Sequence, residues 1–177
     1  MRNENSKADG NRTLSMLMVL AMWLIVLGLL AMAFGQYLDH RDHPNRHAAG
    51  QVSDNGFREI TLQANQAGHY MAEGRINGET VTFMLDTGAS DVSIPQDLAT
   101  RLGLEPGRPV SYQTANGVVT GFATQLGSIS VGPIEKRDVR GSINPGMQGD
   151  RILLGMSFLR DLEFTQRDGR LTLRQPP

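Results

Sequence analysis

The sequence predicts an all-β domain with one short helix near its C-terminal end, preceded by a single transmembrane helix. Three observations carry this. Leu14 to Phe34 contains no charged residue, and its length of about 20 residues lets a helix cross the hydrocarbon core of a bilayer. From Phe57 onward, short alternating or apolar runs are separated by glycine-rich turns, the pattern of many short strands. Within that region one apolar run, Phe83-Met84-Leu85, delivers an acid into the turn Asp86-Thr87-Gly88.

The organisation expected along the chain is a cytoplasmic tail over 1–13, a transmembrane helix over 14–35, a juxtamembrane linker over 36–55 and a folded domain over 56–177. A cleaved secretory signal competes with an uncleaved anchor, and Ala31-Met32-Ala33 supplies a small-x-small cleavage pattern. The apolar run is longer than the about 7–15 residues of a usual signal core, so the anchor is the expectation. Arg2, Lys7 and Arg12 precede the helix, while Arg41 and Arg46 follow it. This slight excess puts the N-terminus in the cytoplasm and the domain outside, as in a bacterial periplasm.

The linker holds Asp39, His40, Asp42, His43 and His47, a loose set of metal-ligating side chains. With no ordered scaffold to hold them, a solvated tether is expected and no metal site. A flexible coil of about 20 residues has a root-mean-square span of roughly 25 Å.

The domain reads as follows. Ile60-Thr61-Leu62 and His69 to Ile76 are strand-like, and Asn77-Gly78 is a two-residue hairpin signal leading into Val81–Leu85. Pro95 to Leu102 is a short helix closed by Gly103. Val110–Ala115 and Val118–Thr120 form a second hairpin with Asn116-Gly117 at its tip. Strand patterns resume over Ala123–Val131, Val139–Ile143 and Ile152–Leu154. Gly155 to Asp161 makes one or two helical turns, and a last hairpin closes around Arg167-Asp168-Gly169.

Composition narrows function. The chain has 177 residues, a net charge of −1 and no cysteine. Scattered basic residues argue against nucleic acid as a partner. Without cysteine there is no disulfide, thiolate metal site or thiol nucleophile. An isolated Asp-Thr-Gly is most simply a capped turn after a strand. Placed after an apolar strand, it also suits a carboxylate held in a dry cleft for acid–base work.

The wider context resembles the retropepsin-like aspartic proteases, in their membrane-anchored bacterial branch. The resemblance rests on Met84-Leu85-Asp86-Thr87-Gly88-Ala89-Ser90, then the hairpin with Asn116-Gly117, then Leu153-Leu154-Gly155, in matching order and separation. It covers roughly 57–174 and implies a retropepsin-like half-barrel. It also implies an aspartic endopeptidase that needs no cofactor, acts on a polypeptide substrate and works as a homodimer, because the signature occurs once. Asp86 would be the catalytic acid, one per subunit; Thr87 would grip the partner's turn, and Gly88 would let the two turns approach. The hairpin around Tyr112, Asn116 and Gly117 would be a flap over the substrate. Leu14–Phe34 would hold the protein in the lipid bilayer of a bacterial inner membrane.

Three positions qualify this. Viral relatives follow the late glycine with Arg and then Asp or Asn, whereas Gly155 precedes Met156 and Ser157. Ala89 stands where pepsin-like enzymes often carry Ser, so the acid lacks a hydroxyl donor and an optimum less acidic than pepsin's is expected. Asp91 is expected at a strand end or surface. Two other classes remain open: a catalytically silent β-domain that binds a peptide or envelope partner, and an aspartyl-phosphate enzyme with Asp86 as nucleophile. The second lacks a convincing acidic cluster for magnesium.

Overall fold

The computed structural model of the chain describes residues 5–42, 44–45, 48, 50–114 and 117–177. They fall into two units, Met1–Asp42 and His43–Pro177. The first is a single helix, α1 (Asn5–Asp42). Its 20-residue stretch Met16–Gly35 is long and apolar enough to cross a membrane, a property that a secretory signal near an N-terminus shares. Large side chains along it, including Leu17, Trp23 and Phe34, are exposed. An apolar helix of this kind is not stable in water unless something covers it.

The second unit runs β1 (Gly50–Val52), β2 (Arg58–Gln63), β3 (Met71–Ile76), β4 (Glu79–Leu85), β5 (Val92–Pro95), α2 (Gln96–Arg101), β6 (Pro109–Thr114), β7 (Gly117–Val131), β8 (Ile134–Asn144), β9 (Arg151–Leu154), α3 (Met156–Leu159), β10 (Glu163–Arg167) and β11 (Arg170–Gln175). The strands form a sheet of order β3-β4-β9-β5-β8-β7-β6 and a smaller one of order β1-β2-β11-β10. Since β3 also pairs with β7, the larger sheet closes on itself and β6 is left outside the ring as one arm of a hairpin. Phe83, Ile94, Ile129, Ile152, Leu154 and Phe158 fill its interior and are fully buried.

The turns follow from local chemistry. Asn77 and Gly78 have φ of 50° and 91°, the left-handed pair that a two-residue hairpin needs. Asp168 and Gly169 repeat the arrangement at 50° and 72° and join β10 to β11. Gly103, with φ of 64°, ends α2 as expected. The second Asn-Gly behaves differently. Gly117 pairs with Thr114 as the first residue of β7, so the hairpin connection is one position earlier than the sequence suggests. Asn116 itself lies outside the described residues.

The segment expected as a linker over 36–55 carries regular structure at both of its ends. Helix α1 continues to Asp42, and β1 begins at Gly50 and pairs with β2. Between them Asn45 is only 5% exposed. Its side-chain amide donates to the carbonyls of Gln63 and Met71 at 2.8 and 2.7 Å, and its oxygen accepts from Gln63 N–H at 2.7 Å. One buried side chain thus serves backbone groups where β2 and β3 diverge, and it leaves no periodic trace in the sequence. Asn45→Ala strands these groups and is expected to lower stability by about 2 kcal/mol, read by urea unfolding of the full chain. A midpoint equal to wild type would show the clamp to be idle.

The smaller sheet has an open side. Every residue of β10 is exposed, including Phe164 at 41%, and β11 is its sole strand partner among the described residues.

Candidate active site

Parallel pairing of β4 and β9 sets Met84 beside Leu153 and Leu85 beside Leu154. Both strands end at one place, and there the chain turns at Asp86. Leu85 N–H donates to Tyr70 O at 2.9 Å, and Asp86 N–H to Leu154 O at 3.2 Å. Beyond that point the side chain organises its own turn. Asp86 Oδ1 accepts from Gly88 N–H at 2.9 Å, and Ala89 N–H donates to Asp86 O at 3.2 Å. This is an Asx turn, which fixes the carboxylate to its own backbone. Asp86 Oδ2 accepts no hydrogen bond among the described residues. The acid is half-buried, whereas Thr87 and Gly88 are exposed.

The turn is braced from below. Met156 N–H donates to Ala89 O at 2.8 Å and Ser157 N–H to Ser90 O at 2.9 Å. The start of α3 therefore holds the loop that leaves the acid. Gly155 makes this possible: a Cβ there would lie 2.2 Å from Asp91 O and 2.7 Å from Ala89 O. Ser157 stands where the viral pattern has Asp or Asn. It is buried; its hydroxyl donates to Arg140 O at 2.7 Å and accepts from Val92 N–H at 3.1 Å. A neutral side chain thus links β8 to β5.

Asp91 corrects the surface reading. Its side chain is 18% exposed and sits 3.3 Å from Arg140 Nη2. Tyr112 Oη donates to Asp91 Oδ2 at 3.2 Å. The strand that carries the expected flap is thereby fastened to the segment following Asp86. Burial pushes the Tyr112 phenol up, against a lowering bond with Ser142, and the nearby Asp91 carboxylate pushes it further. No local pattern announces this contact, because its partners are 21 residues apart. A cavity of about 580 Å³ opens beside Asp86, Gly88 and Ala89 and extends to Tyr112. Gly117 lies at the start of β7, at the far end of the same hairpin. No cluster of three or more metal-ligating side chains occurs among the described residues.

The chain is similar to known proteins. The family model for the gag-polyprotein putative aspartyl protease matches residues 72–161. A Sinorhizobium protein, named as an uncharacterized protein in the cobV 5′ region, is 32% identical over 167 residues, 88% of this chain and 72% of its own length. An uncharacterized protein of Rickettsia prowazekii is 33% identical over 104 residues, 57% of this chain but 44% of that one. The crystal structure of a retropepsin-like aspartic protease from Rickettsia conorii is 31% identical with a TM-score of 0.57, covering 67% of this chain and 92% of that one. With the fold, the order of motifs and these matches in agreement, the chain belongs to the gag-polyprotein putative aspartyl protease family and has the retropepsin-like fold.

Proposed function

We propose that the protein is an aspartic endopeptidase that works as a homodimer, anchored in a bacterial inner membrane by Leu14–Phe34 with its catalytic domain on the periplasmic side. The observation that carries this is the turn itself. A half-buried carboxylate is fixed by its own Asx turn, beside a cavity, and is followed by exposed Thr87 and Gly88. One chain supplies one such acid. Two turns meeting across a twofold axis would bring two Asp86 carboxylates together, and like charges so close cannot both ionise. The ionised member takes a proton from water, which attacks the scissile carbonyl. The protonated member hydrogen-bonds the carbonyl oxygen as it gains charge. Proton transfer to the amine then releases the new N-terminus.

Thr87 is available for the partner's turn, since its hydroxyl makes no hydrogen bond among the described residues. The open edge of β10 supports the same symmetry. Paired antiparallel with its own copy about Thr165, the run Glu163-Phe164-Thr165-Gln166-Arg167 sets Glu163 against Arg167. Anchoring both copies in one membrane raises their effective concentration, so a weak dimer becomes competent there.

The test is hydrolysis of a mixed peptide library by the full chain in detergent across a dilution series. The expected rate rises faster than linearly with concentration until the dimer saturates. A strictly linear rate down to high dilution excludes the half-site scheme, and absence of hydrolysis from a demonstrable dimer favours a silent peptide-binding domain.

Ala89 leaves Asp86 without a hydroxyl donor at this position. A serine hydroxyl there could donate to the ionised acid and favour its charged form. Ala89→Ser is therefore expected to move the acid limb of the kcat/KM profile to lower pH. A limb that stays put or moves up would remove this role for position 89.

A further inference from the structure

The cavity beside Asp86 has a composition that peptide hydrolysis as such does not demand. Its wall carries Ser93 from β5, Ser111 and Gln113 from β6, and Ser142 and Asn144 from β8, with Leu153 as the one large aliphatic side chain. A pocket built for an apolar side chain would not present this much hydrogen-bonding capacity.

That capacity is incompletely used. Ser93 and Ser142 face one another in adjacent parallel strands. The hydroxyl of Ser142, a residue only 3% exposed, bonds the Tyr112 phenol and reaches Ser93 Oγ only at a long 3.4 Å. Ser93 in turn donates to the thioether of Met147 at 3.2 Å, and a thioether is a weak acceptor. Asn144 accepts from Gly146 N–H at 2.9 Å through its oxygen, while its amide donors have no partner among the described residues. The wall therefore offers two kinds of donor without a good acceptor, and hydroxyl lone pairs that can accept.

Charge does not decide the occupant. Asp91 also lines the cavity, but Arg140 lies 3.3 Å from one of its oxygens and Tyr112 bonds the other. Asp91 is paired with Arg140, and Asp86 is committed to the attacking water under the peptidase reading, so neither is set aside for a basic side chain, while an acidic one would meet both carboxylates. Length is limited as well. Tyr112 and Asp91 line both this cavity and a second one of about 720 Å³, so their hydrogen bond separates the two.

We propose that this cavity is a specificity pocket for an uncharged hydrogen-bonding side chain, the primary amide of asparagine or glutamine, close to the scissile bond, and that Ser93, Ser142 and Asn144 read it. The amide oxygen takes the donors of Ser93 and Asn144, and the amide N–H groups find the serine oxygens. A leucine of the same shape would bury these groups without partners, which is the strong form of discrimination. The inference rests on the peptidase reading and names its substrate class.

The experiment uses the full chain in detergent and peptide sets that differ only by Asn, Gln, Leu, Lys or Asp at each position around a cleaved bond. Cleavage is measured on wild type, and binding on Asp86→Asn by calorimetry. At one position Asn or Gln peptides are expected to exceed the Leu peptide about tenfold or more in kcat/KM. Ser93→Ala and Asn144→Leu should each bring that ratio towards one, with the loss appearing for the amide peptides and not for Leu. Preference for Leu or Lys at every position, or an unmoved ratio in both variants, overturns the pocket. Asp86-dependent cleavage with an apolar preference does so too, while leaving the peptidase reading intact. Selective binding of amide peptides, weakened by Ser93→Ala but without cleavage, keeps the pocket and removes the peptidase. A chain that neither binds nor cleaves any set loses both.

Discussion

Asp86→Asn is expected to reduce peptide hydrolysis by about 10²–10⁴-fold, the usual worth of a group that moves protons in the transition state. Asparagine keeps the shape and can still accept from Gly88 N–H through its side-chain oxygen, so the Asx turn survives. What disappears is the ability to take or give a proton. Folding should be unaffected, and identical unfolding midpoints check this. The sharper form of the experiment mixes the two proteins at constant total concentration, well above the dimer dissociation constant. If only dimers with two aspartates are active, an equal mixture retains about a quarter of the wild-type rate, because partners combine at random across a twofold interface. An enzyme active as a monomer retains about half. A residual rate near half with full exchange of subunits would end the shared-site mechanism even if Asp86 proved essential.

How much of this was legible depends on the distance over which each feature is encoded. The Asn77-Gly78 and Asp168-Gly169 turns could be read because a left-handed pair is a property of adjacent residues. Asp86 could be read for the same reason, since its turn is built from its own side chain and the next residues. The helix closed by Gly103 and the short strand Ile152–Leu154 were equally local. The second Asn-Gly misled by one position because cross-strand register, with Gly117 opposite Thr114, placed the connection earlier. The remaining contacts were out of reach. Asn45 serves partners 18 and 26 residues away, and Ser157 ties Val92 across 65. Nothing in a polar residue's neighbourhood says which distant backbone it will satisfy. Asp91 illustrates the cost: it does stand immediately before β5, but nothing local in the Asp-Thr-Gly segment says that the fold sinks it against Tyr112 and Arg140.

Two glycines separate the stability of the site from its assembly, and they make opposite demands on experiment. At Gly155 the obstacle to a side chain is backbone. The Cβ of an alanine would fall 2.2 Å from Asp91 O and 2.7 Å from Ala89 O, so β9 and the loop after Asp86 must move apart. That movement breaks the bonds from Met156 N–H to Ala89 O and from Ser157 N–H to Ser90 O, which hold the active turn. Gly155→Ala is thus expected to cost about 3 kcal/mol, at the upper end for overpacking, and with an m-value of about 1–3 kcal/mol per molar the urea midpoint falls by about 1–3 M. Activity should fall further than the unfolded fraction explains, since a shift of about 1 Å at the reacting groups alone costs about 100-fold. At Gly88 the residue is exposed, and the nearest atom to an added Cβ is Asp86 Oδ1 at 3.2 Å, a side-chain oxygen that has to give by only a few tenths of an ångström. Gly88→Ala should leave the stability of the fold within about 0.5 kcal/mol of wild type, as surface substitutions do. Its effect belongs to the approach of a second turn, so sedimentation should show a weakened dimer and hydrolysis should fall with it. A Gly88→Ala protein that dimerises normally would place Gly88 away from the proposed twofold axis, and a Gly155→Ala protein as stable as wild type would mean that α3 does not brace the Asp86 turn.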